Sequence, residues 1–139
     1  MKKLTAKELL FQFLKKEGIE HENTEFGPRF FINNWSFLLW LDPDDPYFFR
    51  LTLPGIFDVS DENYAEAIMA CNAVNLEYKV VKAILYDFSD EDEDDTSNVW
   101  ICYEQHLDTT PDAHKFVSFS IGAMLTAADA FIQLMTDED

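Results

Sequence analysis

The chain has 139 residues, of which 47% are apolar, and a net charge of −17. This length suits one domain with a buried core, and the apolar content excludes a disordered chain. The strong negative charge repels phosphate groups and anionic lipid headgroups, which argues against nucleic-acid and membrane partners. We therefore predict a single domain over residues 1–139 that binds neither nucleic acid nor membrane.

Much of the acidity is local. Seven acidic residues lie in Asp87–Asp95, and three more end the chain at positions 137–139. A calcium-binding EF-hand loop starting at Asp90 would require glycine at position 95 and glutamate at position 101, where this chain has Asp95 and Ile101. We predict a solvated acidic hairpin loop over about residues 87–98 and an acidic tail over residues 136–139.

The N-terminal segment predicts a helix over about residues 6–17. Thr5 and Glu8 have capping-box spacing, and apolar residues follow at helical intervals until Gly18, which suits a left-handed helix end. Lys7 and Glu8 interrupt the apolar core that an export signal would need, and no run of about 18 apolar residues follows. These features predict a cytoplasmic protein.

The aromatic residues are concentrated in a predicted three-strand meander. Ten of the 21 aromatic side chains lie between Phe26 and Phe57, and turn signals at Asn33-Asn34 and at residues 43–46 divide that stretch into three runs. Residues 19–25 fit either a loop or a weak edge strand. Alternation in the second run sets Phe37, Leu39 and Leu41 against Leu38 and Trp40. Alternation in the third run sets Phe49, Leu51 and Leu53 against Phe48, Arg50 and Thr52.

The second half predicts a helix, a hairpin and a long final helix. Pro54-Gly55 is a turn signal, and Ser60 is a predicted N-cap of a helix that ends near Asn75. Tyr64, Ile68 and Cys71 lie along one stripe of that helix. Two strands at Tyr78–Tyr86 and Val99–Leu107 and a helix from Pro111 to about Met135 complete the chain. The fold class is therefore α+β, an antiparallel sheet (three-strand meander plus hairpin) with three helices in the order α-β-β-β-α-β-β-α.

The chain lacks a recognisable catalytic or metal-binding pattern. The histidines show no zinc-ligand spacing, and no phosphate-binding glycine loop or nucleophile elbow is present. A nucleophile formed by Cys71 or Cys102 with His106 or His114 remains an alternative, although apolar neighbours raise a thiol pKa and so disfavour it. We predict no metal, no cofactor and no enzymatic activity.

Four aromatic residues of the meander are candidates for either core or interface: Trp35, Trp40, Tyr47 and Phe48. Aromatic side chains are enriched at binding hot spots, but most large apolar residues are buried. Trp40 and Phe48 are the better interface candidates, because their neighbours Leu39 and Phe49 already supply the other face of the strands. The predicted protein-interface residues are therefore Leu38, Trp40 and Phe48.

Over roughly residues 4–135 the chain resembles the YbjN-domain proteins, a family named for bacterial sensory transduction regulation. The resemblance rests on the following segments: Phe30-Phe31-Ile32-Asn33-Asn34-Trp35, Leu51-x-Leu53-Pro54, Cys71-Asn72-Ala73-Val74-Asn75, Lys79-Val80-Val81-Lys82-Ala83 and Ala128-Asp129. The resemblance implies a fold like that of type III secretion chaperones. It also implies a non-enzymatic domain that is often dimeric and suited to holding another polypeptide.

These observations lead to one functional hypothesis and two alternatives. The first is a cytoplasmic, non-enzymatic protein-binding or chaperone-like regulatory domain that forms a homodimer and binds an unknown protein partner. The second is an acidic inhibitor or immunity-type protein that binds a basic partner through residues 90–95. The third is a cysteine-dependent enzyme.

Overall fold

A computed structural model describes residues 3–86 and 97–136 as three helices that cover one face of a six-stranded antiparallel sheet. The elements are α1 (Ala6–Glu17), β1 (His21–Asn23), β2 (Pro28–Ile32), β3 (Trp35–Trp40), β4 (Phe48–Val59), α2 (Tyr64–Glu77), β5 (Val81–Tyr86), β6 (Ser97–His106) and α3 (Ala113–Thr136). The spatial strand order is β1-β2-β3-β4-β6-β5.

The α+β class and the predicted order of the elements are confirmed. The segment over residues 19–25, for which a loop and an edge strand were both open, contains the short strand β1. The acidic hairpin loop lies outside the described residues except for Ser97 and Asn98, which belong to β6. The acidic tail lies outside them after Thr136.

Helix α1 begins and ends where its caps predict. The Thr5 hydroxyl accepts a hydrogen bond from the Glu8 backbone N–H at 3.1 Å, and the Glu8 carboxylate accepts one from the Thr5 N–H at 2.9 Å. Gly18 ends the helix in the left-handed conformation, with φ of 68°. The Ala6 N–H also donates to the Pro46 carbonyl at 2.9 Å, which ties the start of α1 to the loop before β4.

The meander has the predicted asparagine turn and the predicted alternation, except that Leu41 lies beyond the end of β3 and is exposed. Asn33 and Asn34 adopt φ of 50° and 72°, and a two-residue hairpin turn of type I′ needs positive φ at both positions. On the helix side of β3 and β4 the side chains of Phe37, Leu39, Phe49, Leu51 and Leu53 are fully buried. This face of the sheet forms the core with the helices.

The prediction that the chain turns at Pro54-Gly55 and ends the strand there is wrong. Strand β4 continues to Val59, and its pairing with β6 shifts register between Leu53 and Phe57. Gly55 takes φ of 60°, a conformation that glycine adopts without strain. Proline and glycine mark an irregularity here instead of a turn, because β6 supplies backbone partners on both sides of it.

The start and the end of α2 also differ from the prediction. The helix begins at Tyr64 and ends at Glu77, and Ser60 lies in a preceding turn where its N–H donates to the Asn63 side chain at 2.8 Å. Its buried residues are Ala67, Ala70, Cys71 and Val74, whereas Tyr64 and Ile68 are exposed. Apolar residues occur around the whole helix, so the neighbouring β5 and α3 decide which side is buried.

By length and composition, α3 is a helix that could span a membrane, contrary to the expectation that the chain has no such segment. In the fold it packs against α1, α2 and the sheet. Its buried residues are Val117, Ser120, Ile121, Met124, Ala127, Ala128 and Phe131. The apolar composition of this side of α3 is therefore accounted for by the core.

The Asn75 side chain forms hydrogen bonds with the backbone of Ala83 on the outer edge of β5. Its side-chain amide donates to the Ala83 carbonyl at 3.1 Å, and its side-chain oxygen accepts from the Ala83 N–H at 2.7 Å. β5 is the last strand of the sheet on this side, and an edge strand otherwise offers its backbone groups to other chains. The Asn75 side chain thus takes the place that a neighbouring strand's peptide group would occupy.

We expect Asn75→Ala to lower the free energy of unfolding by about 1 to 2 kcal/mol, because both Ala83 groups lose their partner. The matched control is Asn72→Ala, since Asn72 is exposed on the same helix. Urea unfolding and hydrogen exchange of the Ala83 amide measure the effect. Equal unfolding midpoints for the two variants would contradict the role given to Asn75.

Candidate functional site on the open face of the sheet

The strand register defines a second face of the sheet, opposite the helices, which we call the open face. One row crosses all six strands of the open face and consists of Glu22, Arg29, Leu38, Thr52, Cys102 and Lys82. The row on one side of it contains Trp40, Arg50 and Glu104. On the other side, Trp100 pairs with Ile84, followed by Asn98 with Tyr86.

A groove of about 260 Å³ lies on the open face between these rows. Its lining residues are Trp40, Arg50, Thr52, Lys82, Ile84, Tyr86, Trp100, Cys102 and Glu104. Thr52 and Cys102 are only 1% and 5% exposed. These two side chains are small, whereas their neighbours in the two adjacent rows are large. Thr52 and Cys102 therefore form the floor of the groove.

Aromatic rings from both flanking rows meet across the floor, and we call them the aromatic side of the groove. Tyr86 stacks on Trp100 with ring centroids 5.0 Å apart, and Trp100 lies 6.0 Å from Trp40. Phe26 extends the row with its centroid 4.6 Å from that of Trp40. The Trp40 indole N–H donates to the Thr52 hydroxyl at 3.1 Å, which in turn donates to the Leu38 carbonyl at 2.9 Å. These bonds fix the Trp40 ring over the floor.

An ion-pair cluster of Arg50, Lys82 and Glu104 lines the rest of the groove. Glu104 accepts from Arg50 Nε at 2.7 Å through one oxygen and pairs with Lys82 Nζ at 2.6 Å through the other. Partial burial alone would raise the pKa of the Glu104 carboxyl. Hydrogen bonds and charges from Lys82 and Arg50 outweigh that effect and hold the pKa below its ordinary value. Glu104 is therefore ionised at neutral pH. The cluster then contains two cations, Arg50 and Lys82, and one anion.

The charges of the open face balance, unlike those of the chain. The charged residues within the six strands are Glu22, Arg29, Arg50, Asp58, Lys82 and Glu104, three of each sign. By the register, all six belong to the open face. The excess negative charge of the chain, −17, therefore lies entirely outside the strands.

The structure places the three predicted interface residues on the open face but not in one cluster. Leu38 is buried between Arg29 and Thr52, and Trp40 is half-buried at the groove. Phe48 lies outside the groove, at the start of β4, where the Arg50 guanidinium is 5.3 Å from its ring centroid. Trp35 and Tyr47, by contrast, pack against the core.

Sequence reasoning considered Cys102 only as a nucleophile and gave no functional role to seven other groove residues: Arg50, Thr52, Lys82, Ile84, Tyr86, Trp100 and Glu104. The alternation of Trp100, Cys102 and Glu104 along β6 placed them on one face of that strand. The missing information was that β6 pairs with β4, since this pairing joins two strands about 50 residues apart in sequence.

Neither cysteine has the environment of a nucleophile. Both thiols are buried, and burial raises the pKa of Cys71 to about 11. Burial and the nearby Glu104 carboxylate raise the pKa of Cys102 to about 11. At neutral pH only about one thiol in ten thousand is then a thiolate, the reactive form. Histidine, cysteine and acidic side chains form no group of three or more that could hold a metal ion within residues 3–86 and 97–136.

We expect Glu104 to stabilise the fold in a pH-dependent way. Its pKa in the folded state is lowered, so its contribution is fully present above the unfolded value of about 4.3 and is lost as pH falls through the folded value. Replacement by Glu104→Gln should therefore destabilise the protein at neutral pH and have less effect at low pH. Urea unfolding of the variant and the parent protein across this range measures the difference.

The matched control is Glu22→Gln, which changes an exposed acid paired with one arginine at 3.5 Å on the same face. If the two variants show the same stability difference from the parent at every pH, the Glu104 assignment fails.

Comparisons with known proteins identify the fold alone. No family model matches the chain, and no curated protein sequence matches it. The crystal structure of YbjN from E. coli, a candidate transcription regulator, superimposes with a TM-score of 0.62. The superposition covers 89% of this chain and 87% of that chain at 14% sequence identity. The expected YbjN-like fold is therefore confirmed.

Proposed function

We propose that the chain is a non-enzymatic domain that binds another protein through its open face and has a regulatory or chaperone-like role in the cytoplasm. The observation that carries the proposal is the exposure of aromatic side chains on this face. Phe26, Phe31 and Tyr86 are 46%, 50% and 39% exposed. A sheet with one face in water normally alternates apolar-in with polar-out, so an aromatic outer face indicates a contact surface.

The structural neighbour supports a regulatory role. YbjN is described as a candidate transcription regulator, and the same fold can serve unrelated functions. Direct contact with DNA is opposed by the net charge of −17. A regulatory role would therefore act through a protein partner.

The charge distribution also supports the proposal that two copies associate through the open face. Two chains of net charge −17 repel each other least where each presents balanced charges, and the strands do so. Aromatic side chains near the centre of such a contact are the usual hot spots.

The first test is the loss of partner binding when the aromatic side of the groove is removed. We expect Trp100→Leu and Trp40→Leu to reduce capture of a specific protein from the native cell at least fivefold, because truncation of a hot-spot residue costs about 1 to 2 kcal/mol or more. Quantitative mass spectrometry of the captured proteins provides the measurement.

The matched control is Phe119→Leu, an exposed aromatic residue on α3, which belongs to the helical side of the molecule. Urea unfolding of each variant separates loss of contact from loss of folding. Equal capture by the parent protein and by both folded tryptophan variants would refute the proposed surface.

The second test concerns self-association. Light scattering at micromolar concentrations should give twice the chain mass of 16.2 kDa. Trp100→Leu should shift the mass toward the single chain, whereas Phe119→Leu should not. A parent protein that is monomeric under these conditions would remove the homodimer from the proposal and leave the binding of a different protein in place.

A further inference from the structure

Arg50 is held in a way that leaves part of its guanidinium group available. Glu104 binds the Nε atom, and the ring of Phe48 lies 5.3 Å from the guanidinium carbon. Among the residues that the structure describes, Arg50 donates a side-chain hydrogen bond from Nε alone, to Glu104. A guanidinium fixed through Nε presents its remaining donors as a planar fork, which matches the two oxygens of a carboxylate.

The charge of the groove agrees with that geometry. Arg50 and Lys82 share one carboxylate, that of Glu104, so the cluster has an excess positive charge. This excess occurs in a chain that contains only 10 basic residues against 27 acidic ones. A ligand carboxylate is thus attracted at the groove and repelled by the rest of the protein surface.

The size of the groove and its aromatic side limit what else the ligand carries. Sites for drug-sized molecules and cofactors occupy about 300 to 1,000 Å³, and this groove has about 260 Å³. That volume suits a single large side chain better than a cofactor. Trp40, Trp100 and Tyr86 offer ring surfaces against which another aromatic ring can pack.

We propose that the groove binds a segment of a partner polypeptide in which an aromatic side chain is next to a carboxylate side chain. The aromatic ring packs on Trp40 and Trp100 above the floor of Thr52 and Cys102, and the carboxylate pairs with the terminal nitrogens of Arg50. This inference rests on the proposed function, because it assigns the chemistry of the partner at the open face.

Three acetylated and amidated peptides test the proposal: GGFEGG, GGFQGG and GGAEGG. Phenylalanine does not absorb where tryptophan is excited, so the tryptophan fluorescence of the protein reports binding. We expect GGFEGG to bind about three- to tenfold more tightly than GGFQGG, as for a partly exposed charge-assisted pair. We expect GGAEGG to bind more weakly than GGFEGG by at least the same factor.

The preference for glutamate over glutamine is diagnostic because the net charge of −17 favours the opposite order. Equal or tighter binding of GGFQGG would overturn the carboxylate pairing. Equal binding of GGAEGG and GGFEGG would overturn the aromatic contact, and absence of binding by all three at millimolar concentration would overturn the site. Self-association through the same face would weaken all three peptides by the same factor, so the ratios remain valid.

Variants of the protein assign the preference to Arg50. Arg50→Gln should abolish the preference for GGFEGG over GGFQGG, and Arg50→Lys should reduce it, since lysine keeps the charge but lacks the planar fork. Arg29→Gln is the matched control, because it removes a cation from the same face outside the groove. Trp100→Leu should weaken GGFEGG and GGFQGG alike, by about two- to tenfold.

The outcomes separate this inference from the proposed function. If Trp100→Leu abolishes partner capture but GGFEGG has no advantage, the open face binds a protein of different chemistry and the inference fails. If GGFEGG is preferred in an Arg50-dependent manner but Trp100→Leu leaves capture unchanged, the site exists and the proposed function fails.

Discussion

The pairing of β4 with β6 is the interaction on which the rest of the structure depends. It joins the meander of β1 to β4 with the hairpin of β5 and β6, and it runs almost the full length of both strands. Leu51 and Tyr103 meet on its core side, while Arg50 and Glu104 meet on its open side. This pairing places Arg50 of the first half of the chain beside Glu104 of the second half. The irregularity between Leu53 and Phe57 lets β4 follow β6 past a proline and a glycine.

The same pairing explains why the two faces of the sheet differ in composition. On the helix side, full burial selects phenylalanine, leucine and valine, and the small residues of α2 and α3 permit close approach. On the open side, buried polar groups must find partners, and the bond from Trp40 to Thr52 and the pairs of Glu104 meet that need. The open face thus combines aromatic rings with paired charges. Aromatic residues and arginine, which are enriched at protein interfaces, both occur on this face.

Local patterns in the sequence were reliable wherever backbone hydrogen bonding is decided within a few residues. The capping box at Thr5 and Glu8, the left-handed end at Gly18 and the asparagine turn between β2 and β3 are all of this kind. Prediction failed where a distant partner decided the outcome. Pro54-Gly55 does not end β4 because β6 accompanies it. Of the groove residues, only Trp40 was predicted to belong to an interface, since the other lining residues come from β4, β5 and β6, whose spatial order has no local signal in the sequence.

Sequence by itself determined the fold class, the main elements and which side of the meander strands faces the core, because alternation and capping are properties of neighbouring residues. It also determined the net charge of −17, from which we predict that the chain does not bind nucleic acid. Only the tertiary structure decided that the strand charges balance on one face, and that Glu104 holds Arg50 and Lys82 beside Trp40 and Trp100. The physical reason is that strand order and register are set by packing across the whole sheet, which brings together residues that share no local pattern.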